Sequence, residues 1–307
     1  MEKRLSRTDL MFALGFLFLL VVAVGAFFYG VKVGSDKANA RHEASIKTAN
    51  ATQVKLSAYS QQDLVSFYHT VFLPYREFMN EWSAARQQWQ SDGTADRSAA
   101  LNALAKRATA KYESAKVGYV SGSSPLLSGA QDSYLKSLKL YASSFSKLAA
   151  AANDGTAATL FDKLNADAYY KEALSEQLSA QKQYYEAMLK WGATVNLDIP
   201  DAYAIPKVIP NSTWKNLPLL VKNIVSAEYM ASNREVYDFM PQDLTARIDQ
   251  FIQSGQAERM KQHSMGSIAD MLTGTDAVRS GDFLSLKSRL YAKQTLPQLP
   301  FFYSDNG

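Results

Sequence analysis

From Leu64 to Trp89, apolar and aromatic residues recur four and three positions apart: Leu64, Tyr68, Val71, Tyr75, Phe78, Trp82, Ala85 and Trp89. That is the heptad alternation of an α-helix burying one stripe against partner helices along its whole length, in the manner of a coiled coil. A strand, whose faces alternate every second residue, has no use for it. Pro74 lies inside the stripe; without an N–H, and clashing with the turn before it, it predicts a kink near residues 70–73. The remaining chain has to supply the partners, and its abundance of Ala, Leu, Lys, Gln, Glu and Ser with only 15 glycines in 307 residues favours helix throughout.

Three further stripes follow. Ser91-Asp92-Gly93 is a turn, after which Thr94 or Asp96 caps a helix carrying Leu101, Leu104, Ala108, Tyr112, Ala115 and Tyr119. Ser124 as N-cap and Pro125 in the first turn open a third, with Leu135, Leu138, Ala142, Phe145 and Ala149, ended at Asn153-Asp154-Gly155. Thr156 opens a fourth, Leu160, Leu164, Ala168, Leu174, Leu178, Gln181, Tyr185 and Met188, running to about Trp191. Amphipathic helices joined by short polar turns pack up and down, so the expected fold is all-α, with an antiparallel four-helix bundle over residues 61–191.

Composition changes at Gly192. Pro200, Pro206, Pro210 and Pro218 break any helix, and Ile199, Ile205 and Ile209 each precede a proline and prefer extended geometry. Residues 192–218 are therefore expected to form a proline-rich strap packed on the bundle, since a free linker would be more polar. A smaller helical region, 219–307, carries Leu220, Ile224, Ala227 and Met230, then Leu244, Ile248, Phe251 and Ile252 behind Pro241, then shorter pieces over 268–272 and 283–291, the last capped by Asp282. It ends in an apolar tail whose Leu299, Phe301, Phe302 and Tyr303 either pack back or dock a partner.

Before the bundle, Leu10 to Val31 is an uninterrupted apolar run, long enough as a helix for a bilayer core of roughly 30 Å. The short flank 1–9, with Lys3, Arg4 and Arg7, has the character of an export signal's inner end and is expected to stay in the cytoplasm. Small residues around Gly25 and Ala40 would admit signal-peptidase cleavage, but the run continues through Phe27, Phe28 and Tyr29 beyond an ordinary signal core. The expectation is a single-pass signal-anchor over 10–33, a helical stalk over 34–60 and an extracytoplasmic bulk. Ala26, Gly30 and Gly34 share one face at four-residue spacing, a candidate contact between membrane helices.

The search for chemistry excludes more than it finds. Without cysteine there are no disulfides, thiol nucleophiles or zinc-thiolate sites. A net charge of +4, mixed in sign along the chain, does not describe a nucleic-acid binder. His42, His69 and His263 are scattered, none preceded by Glu at the spacing of di-iron bundles. Ser-x-x-Lys at Ser133/Lys136, Ser144/Lys147 and Ser179/Lys182 lacks the Lys-Thr-Gly and strand framework of penicillin-interacting enzymes. Glu172 and Glu176 lie one turn apart beside lysines, as on a solvated face. No metal or cofactor is expected. Lys106, Arg107, Lys111, Lys136 and Lys139 give the second and third helices a basic bias, a candidate contact with headgroups or anionic polymers. Asn50 and Asn211 begin glycosylation sequons, meaningful only in a eukaryote.

One membrane helix followed by an extracytoplasmic four-helix bundle resembles bacterial sensor ectodomains. Those require a second membrane helix and a cytoplasmic output domain, and this sequence shows neither. The expected function is non-enzymatic: an interaction or scaffold module of the cell envelope, binding another envelope protein or itself. The alternative is a small-molecule-binding ectodomain working with a separate signalling or transport partner, which Tyr169, Tyr170 and Tyr184 turned into a pocket would favour. An enzyme would need Asp270, Arg279 and Asp282 to converge in a cleft.

Overall fold

In the computed structural model, which describes residues 59–303, the aromatic stripe is helical from Gln61 to Ser91 but changes its winding on the way. Helix α1 (Gln61–Phe67) starts with a reciprocal cap: Ser60 Oγ accepts the Asp63 N–H and the Asp63 carboxylate accepts the Ser60 N–H. One π turn, Tyr68–Phe72, follows, closed by the Leu73 N–H on the Tyr68 carbonyl, and α2 (Leu73–Ser91) continues. Pro74 has no N–H for the Thr70 carbonyl, and the chain accommodates the loss with a wider turn just ahead of it. The extra residue rotates the helix, so Phe67 and Phe72, outside the heptad stripe, are buried, while Tyr68 and Ala85 are only half-buried.

Three long helices complete the bundle: α3 (Arg97–Lys116), α4 (Pro125–Ala149) and, beyond the short α5 (Ala157–Ala166), α6 (Ala168–Val195). Cross-helix pairs give the directions. Glu81 and Glu77 meet Arg107 and Lys111, so α2 and α3 are antiparallel. Tyr75, Phe78 and Trp82 pack on Tyr134, Tyr141 and Phe145 in rising order, so α2 and α4 are parallel. The Tyr184 hydroxyl donates to the Leu64 carbonyl and Trp82 faces Tyr170, so α6 runs back. The result is up-down-up-down, filled by Phe78, Trp82, Tyr134, Tyr141, Phe145 and Tyr184, all with under 2% of their surface exposed. Each contributes roughly 2–3 kcal/mol by leaving water.

Two stripes differ from expectation. On α4 the buried line is Leu127, Ala130, Tyr134, Leu138, Tyr141 and Phe145; Leu135 and Ala142 are half-buried, because the tyrosines bring more area to the aromatic centre than their smaller neighbours. The fourth helix is two. Thr156 caps α5 as expected, but Asp167 takes an extended conformation and its carboxylate accepts the Tyr170 N–H, ending one helix and starting the next. Helix α6 then continues past residue 191 to Val195. Gly192 permits this, since a Cβ there would lie 2.4 Å from Leu220 Cδ1.

The proline-rich segment is packed, with Ile199 and Ile209 buried and Tyr203 and Ile205 against the core, and it contains a short helix, α7 (Asn211–Asn216). An isolated bridge ties Pro210 to Ser264. The C-terminal helices are α8 (Leu219–Asn233), α9 (Pro241–Gln253), α10 (Gln256–Arg259), α11 (Met265–Gly274) and α12 (Asp282–Leu290), with a 3-10 turn at Pro300–Phe302. Gly281 at φ 89°, not Asp282, caps α12. Helix α8 lies antiparallel to α6 through the Lys182–Glu228 pair. Among the described residues there is no strand, and no helix long and apolar enough to cross a membrane.

A charged network is sealed between α7, α8 and α9. Lys222 Nζ lies 2.9 and 3.1 Å from the Asp249 oxygens, which also accept the Trp214 indole N–H at 2.7 Å and the Tyr291 hydroxyl at 2.6 Å. All four residues are buried.

The tail is a core element. Leu296, Leu299 and Phe302 are buried, and Phe301 sits among Tyr68, Phe72, Tyr184 and Tyr185. Of the candidate docking residues, Leu299 and Phe302 therefore have no surface to offer, and Phe301 and Tyr303 are half-buried; the aromatic face of the π turn and α6 gives this tail an intramolecular partner. The expected cytoplasmic flank 1–9, the expected anchor 10–33 with Ala26, Gly30 and Gly34, and all but the last two residues of the expected stalk 34–60 lie outside the described residues.

Candidate functional site

An open cleft of about 1000 Å³ is bounded by the end of α2, by α5, by the first half of α6 and by the turn after α8. The Asp167 break creates it. Ending α5 there sets Phe161 and Leu164 beside Tyr170 and Leu174, an apolar floor that one unbroken helix would divide between different faces. Val236 adds to it from the opposite side, and Phe161 is held in place by stacking on Trp89 at 6.1 Å.

Charged groups stand around this floor: Arg86 from α2, Lys171 and Glu172 from α6, and Arg234 and Glu235 from the α8–α9 turn. Arg86 lies over the Trp82 ring at 5.9 Å, and its Nη1, buried, has no hydrogen-bond partner among the described residues. The nearest carboxylate oxygen, on Asp238, is 3.9 Å away and already accepts the Ser83 hydroxyl at 2.6 Å. Arg234 ends α8 in a left-handed conformation, φ 54°, that glycine adopts freely and arginine does not. Burial raises the Tyr170 phenol above its ordinary range against the opposing influence of Arg86, so the floor presents a neutral ring at neutral pH.

The sequence-derived candidates are distributed differently. Of the basic residues, Arg107 pairs with Glu81, Lys111 with Glu77, and Lys136 with both Glu172 and Glu176. Lys139 covers the Tyr112 ring at 4.4 Å and Lys106 is exposed. Apart from Lys106 they reach across three different helix seams, α2–α3, α3–α4 and α4–α6. The Ser-x-x-Lys lysines are likewise engaged: Lys136 as above, Lys147 by Asp167, Lys182 by Glu228. Among the three tyrosines, Tyr170 alone lines the cleft; Tyr169 is exposed and Tyr184 is sealed in the core. Asp270 accepts the Tyr229 hydroxyl, whereas Asp282 holds the Arg279 N–H and faces Arg247, so the hypothetical catalytic trio falls into two networks. No metal-holding cluster occurs among the described residues.

Arg86 and Arg234 were not foreseen as partners. They are far apart in sequence, each at a helix end with no motif around it. One local signal existed: Asn233-Arg234-Glu235 closes a strongly apolar helix without glycine or proline. No family model, curated protein or solved structure matches the chain.

Proposed function

We propose that the chain is a membrane-tethered, extracytoplasmic helical module that acts by binding, as an interaction component of the cell envelope. The tether rests on the Leu10–Val31 run and its basic N-terminal flank. The binding role rests on one observation, the cleft, whose partly apolar floor is bordered by Arg86, Lys171 and Arg234, of which only Arg86 approaches an acid, Asp238 at 3.9 Å. Its volume, about 1000 Å³, is at the upper end of the range for sites that enclose small ligands.

The absence of cysteine makes a clean test available. In intact cells a membrane-impermeant maleimide should label Lys106→Cys and leave Glu2→Cys untouched, and carbonate extraction should leave the full chain in the membrane pellet. Labelling of Glu2→Cys alone, or release of the chain by carbonate, would refute the tethered, outward-facing arrangement.

A further inference from the structure

We infer that the cleft takes a small amphipathic carboxylate, its head on the Arg86 guanidinium near Lys171 and Arg234, its apolar body along Phe161, Leu164, Tyr170 and Leu174. This rests on reading the cleft as a binding site.

The charge of the head follows from which groups are already engaged. Three cations and two carboxylates line the cleft. Glu172 is drawn away by Lys136 at 2.8 Å. Among the described residues Lys171 and Arg234 make no ion pair, and Arg86 has only the 3.9 Å approach of Asp238, which Ser83 and Gln87 also engage. Three lining cations stand against Glu172 and Glu235, so the lining carries one net positive charge.

Its shape follows from Arg86. The Arg86 side chain keeps 24% of its surface exposed and its Nη1 has no acceptor nearer than Asp238 at 3.9 Å, so an anion in the cleft supplies what that carboxylate leaves unmet. A carboxylate matches the planar guanidinium fork with two parallel hydrogen bonds, and Arg86 lies 5.9 Å over the Trp82 ring. Arg234 adds a second cation to the lining, at a left-handed backbone position of the kind Lys261 and Asp276 also adopt elsewhere. The apolar floor decides the rest of the molecule. A bare anion would leave the half-buried Phe161 and Val236 in contact with water, whereas an attached hydrocarbon or aryl group covers them.

The full chain in detergent micelles, with empty micelles as blank, is titrated with 4-phenylbutyrate, its uncharged amide and acetate. Heat and tryptophan emission are recorded, since Trp89 stacks on Phe161 and Trp82 lies 6.2 Å from Tyr170. The expected result is saturable one-to-one binding of the acid, with the amide and acetate each weaker by about tenfold or more. Arg86→Gln should weaken the acid by about tenfold and leave the amide unchanged. Arg234→Gly separates binding from folding: relief of the left-handed strain should raise Tm while affinity for the acid falls. Lys261→Gly, which relieves the same strain at φ 53° outside the cleft, should raise Tm with no change in affinity. Equal affinity for acid and amide, no saturable binding of the acid, or indifference to both arginine variants in a folded protein would overturn the inference. None of these outcomes alters the sidedness result, so failure here is distinct from failure of the tethered module.

Discussion

Removing the Asp249 carboxylate should be among the most damaging single changes this protein can suffer. Four donor contacts converge on it: two from the Lys222 ammonium at 2.9 and 3.1 Å, one from the Trp214 indole and one from the Tyr291 hydroxyl. Lys222 keeps 8% of its surface exposed and Asp249 5%, so neither charge has water to fall back on. Asp249→Ala strands an ammonium and two neutral donors. Breaking one side of a buried pair costs about 3–5 kcal/mol and each stranded donor about 1–3; these overlap, so about 4 kcal/mol is expected. That is a large share of the roughly 5–15 kcal/mol that holds a domain together. Removing both charges, in Lys222→Met/Asp249→Leu, leaves only the two neutral donors unsatisfied and should cost about half as much. Urea unfolding followed by far- and near-ultraviolet circular dichroism measures both, coincidence of the two probes establishing two-state behaviour. A single variant costing under about 1 kcal/mol, or a double variant no more stable than the single, would refute the reasoning.

Asp243, buried at the start of α9 and hydrogen-bonded to the Met240 and Phe283 N–H groups, is pushed up to about 6 from 3.8 by burial. The folded state therefore binds this proton more tightly than the unfolded chain. The group's contribution to stability is complete below about pH 4 and falls by about 3 kcal/mol as pH rises through 6. Asp243→Asn should remove that part of the pH slope in denaturant titrations between pH 4 and 7, and an unchanged slope would contradict the assignment. Asp167 behaves oppositely: burial raises it, but hydrogen bonds from Lys147 and the Tyr170 N–H outweigh this and hold it below 3.8. Its stabilisation is present above that value and lost as pH falls through the lower folded one. Asp167→Ala should cost about 1–2 kcal/mol at neutral pH by loss of the cap between α5 and α6, read from the urea midpoint. Phe302→Ala, at a fully buried ring 5.4 Å from Phe283, should cost about 3–5 kcal/mol. Tyr303→Ala, half-buried, should cost about 1 kcal/mol, and equal losses would deny the tail its place in the core.

The helical class and the bundle were legible because periodicity reports which face of a helix is dry, and Leu64 to Trp89 repeats long enough to be unambiguous. The strap was legible from isoleucines set before prolines. The π turn was not, since Pro74 announces a disturbance but not the wider winding that turns Phe67 and Phe72 inward. Nor was the end of α5: Ala166-Asp167-Ala168 contains no helix breaker, and the cap forms only because Lys147 and the Tyr170 N–H are there to meet the carboxylate. Lys222 and Asp249 look like solvated residues in amphipathic helices, because a sequence pattern records spacing along one helix and not the charge waiting on another. The cleft was hidden for the same reason. Its cations come from three elements, and what sets them apart, the lack of an acceptor at Arg86 and the left-handed backbone at Arg234, is a property of the assembled fold.

Phe301 closes an aromatic surface made by Tyr68 and Phe72 at one extreme of the described chain and by Tyr184 and Tyr185 in its middle, while the Gln298 N–H reaches back to the Gln61 side chain. A ribosome delivers those pieces in order, so the four bundle helices emerge with a greasy face uncovered until residues 296–303 follow them. Completion of the core thereby waits on a segment made more than a hundred residues after the bundle, and a message truncated before Leu296 would yield a nascent bundle that attracts chaperones and proteases instead of a shorter working protein.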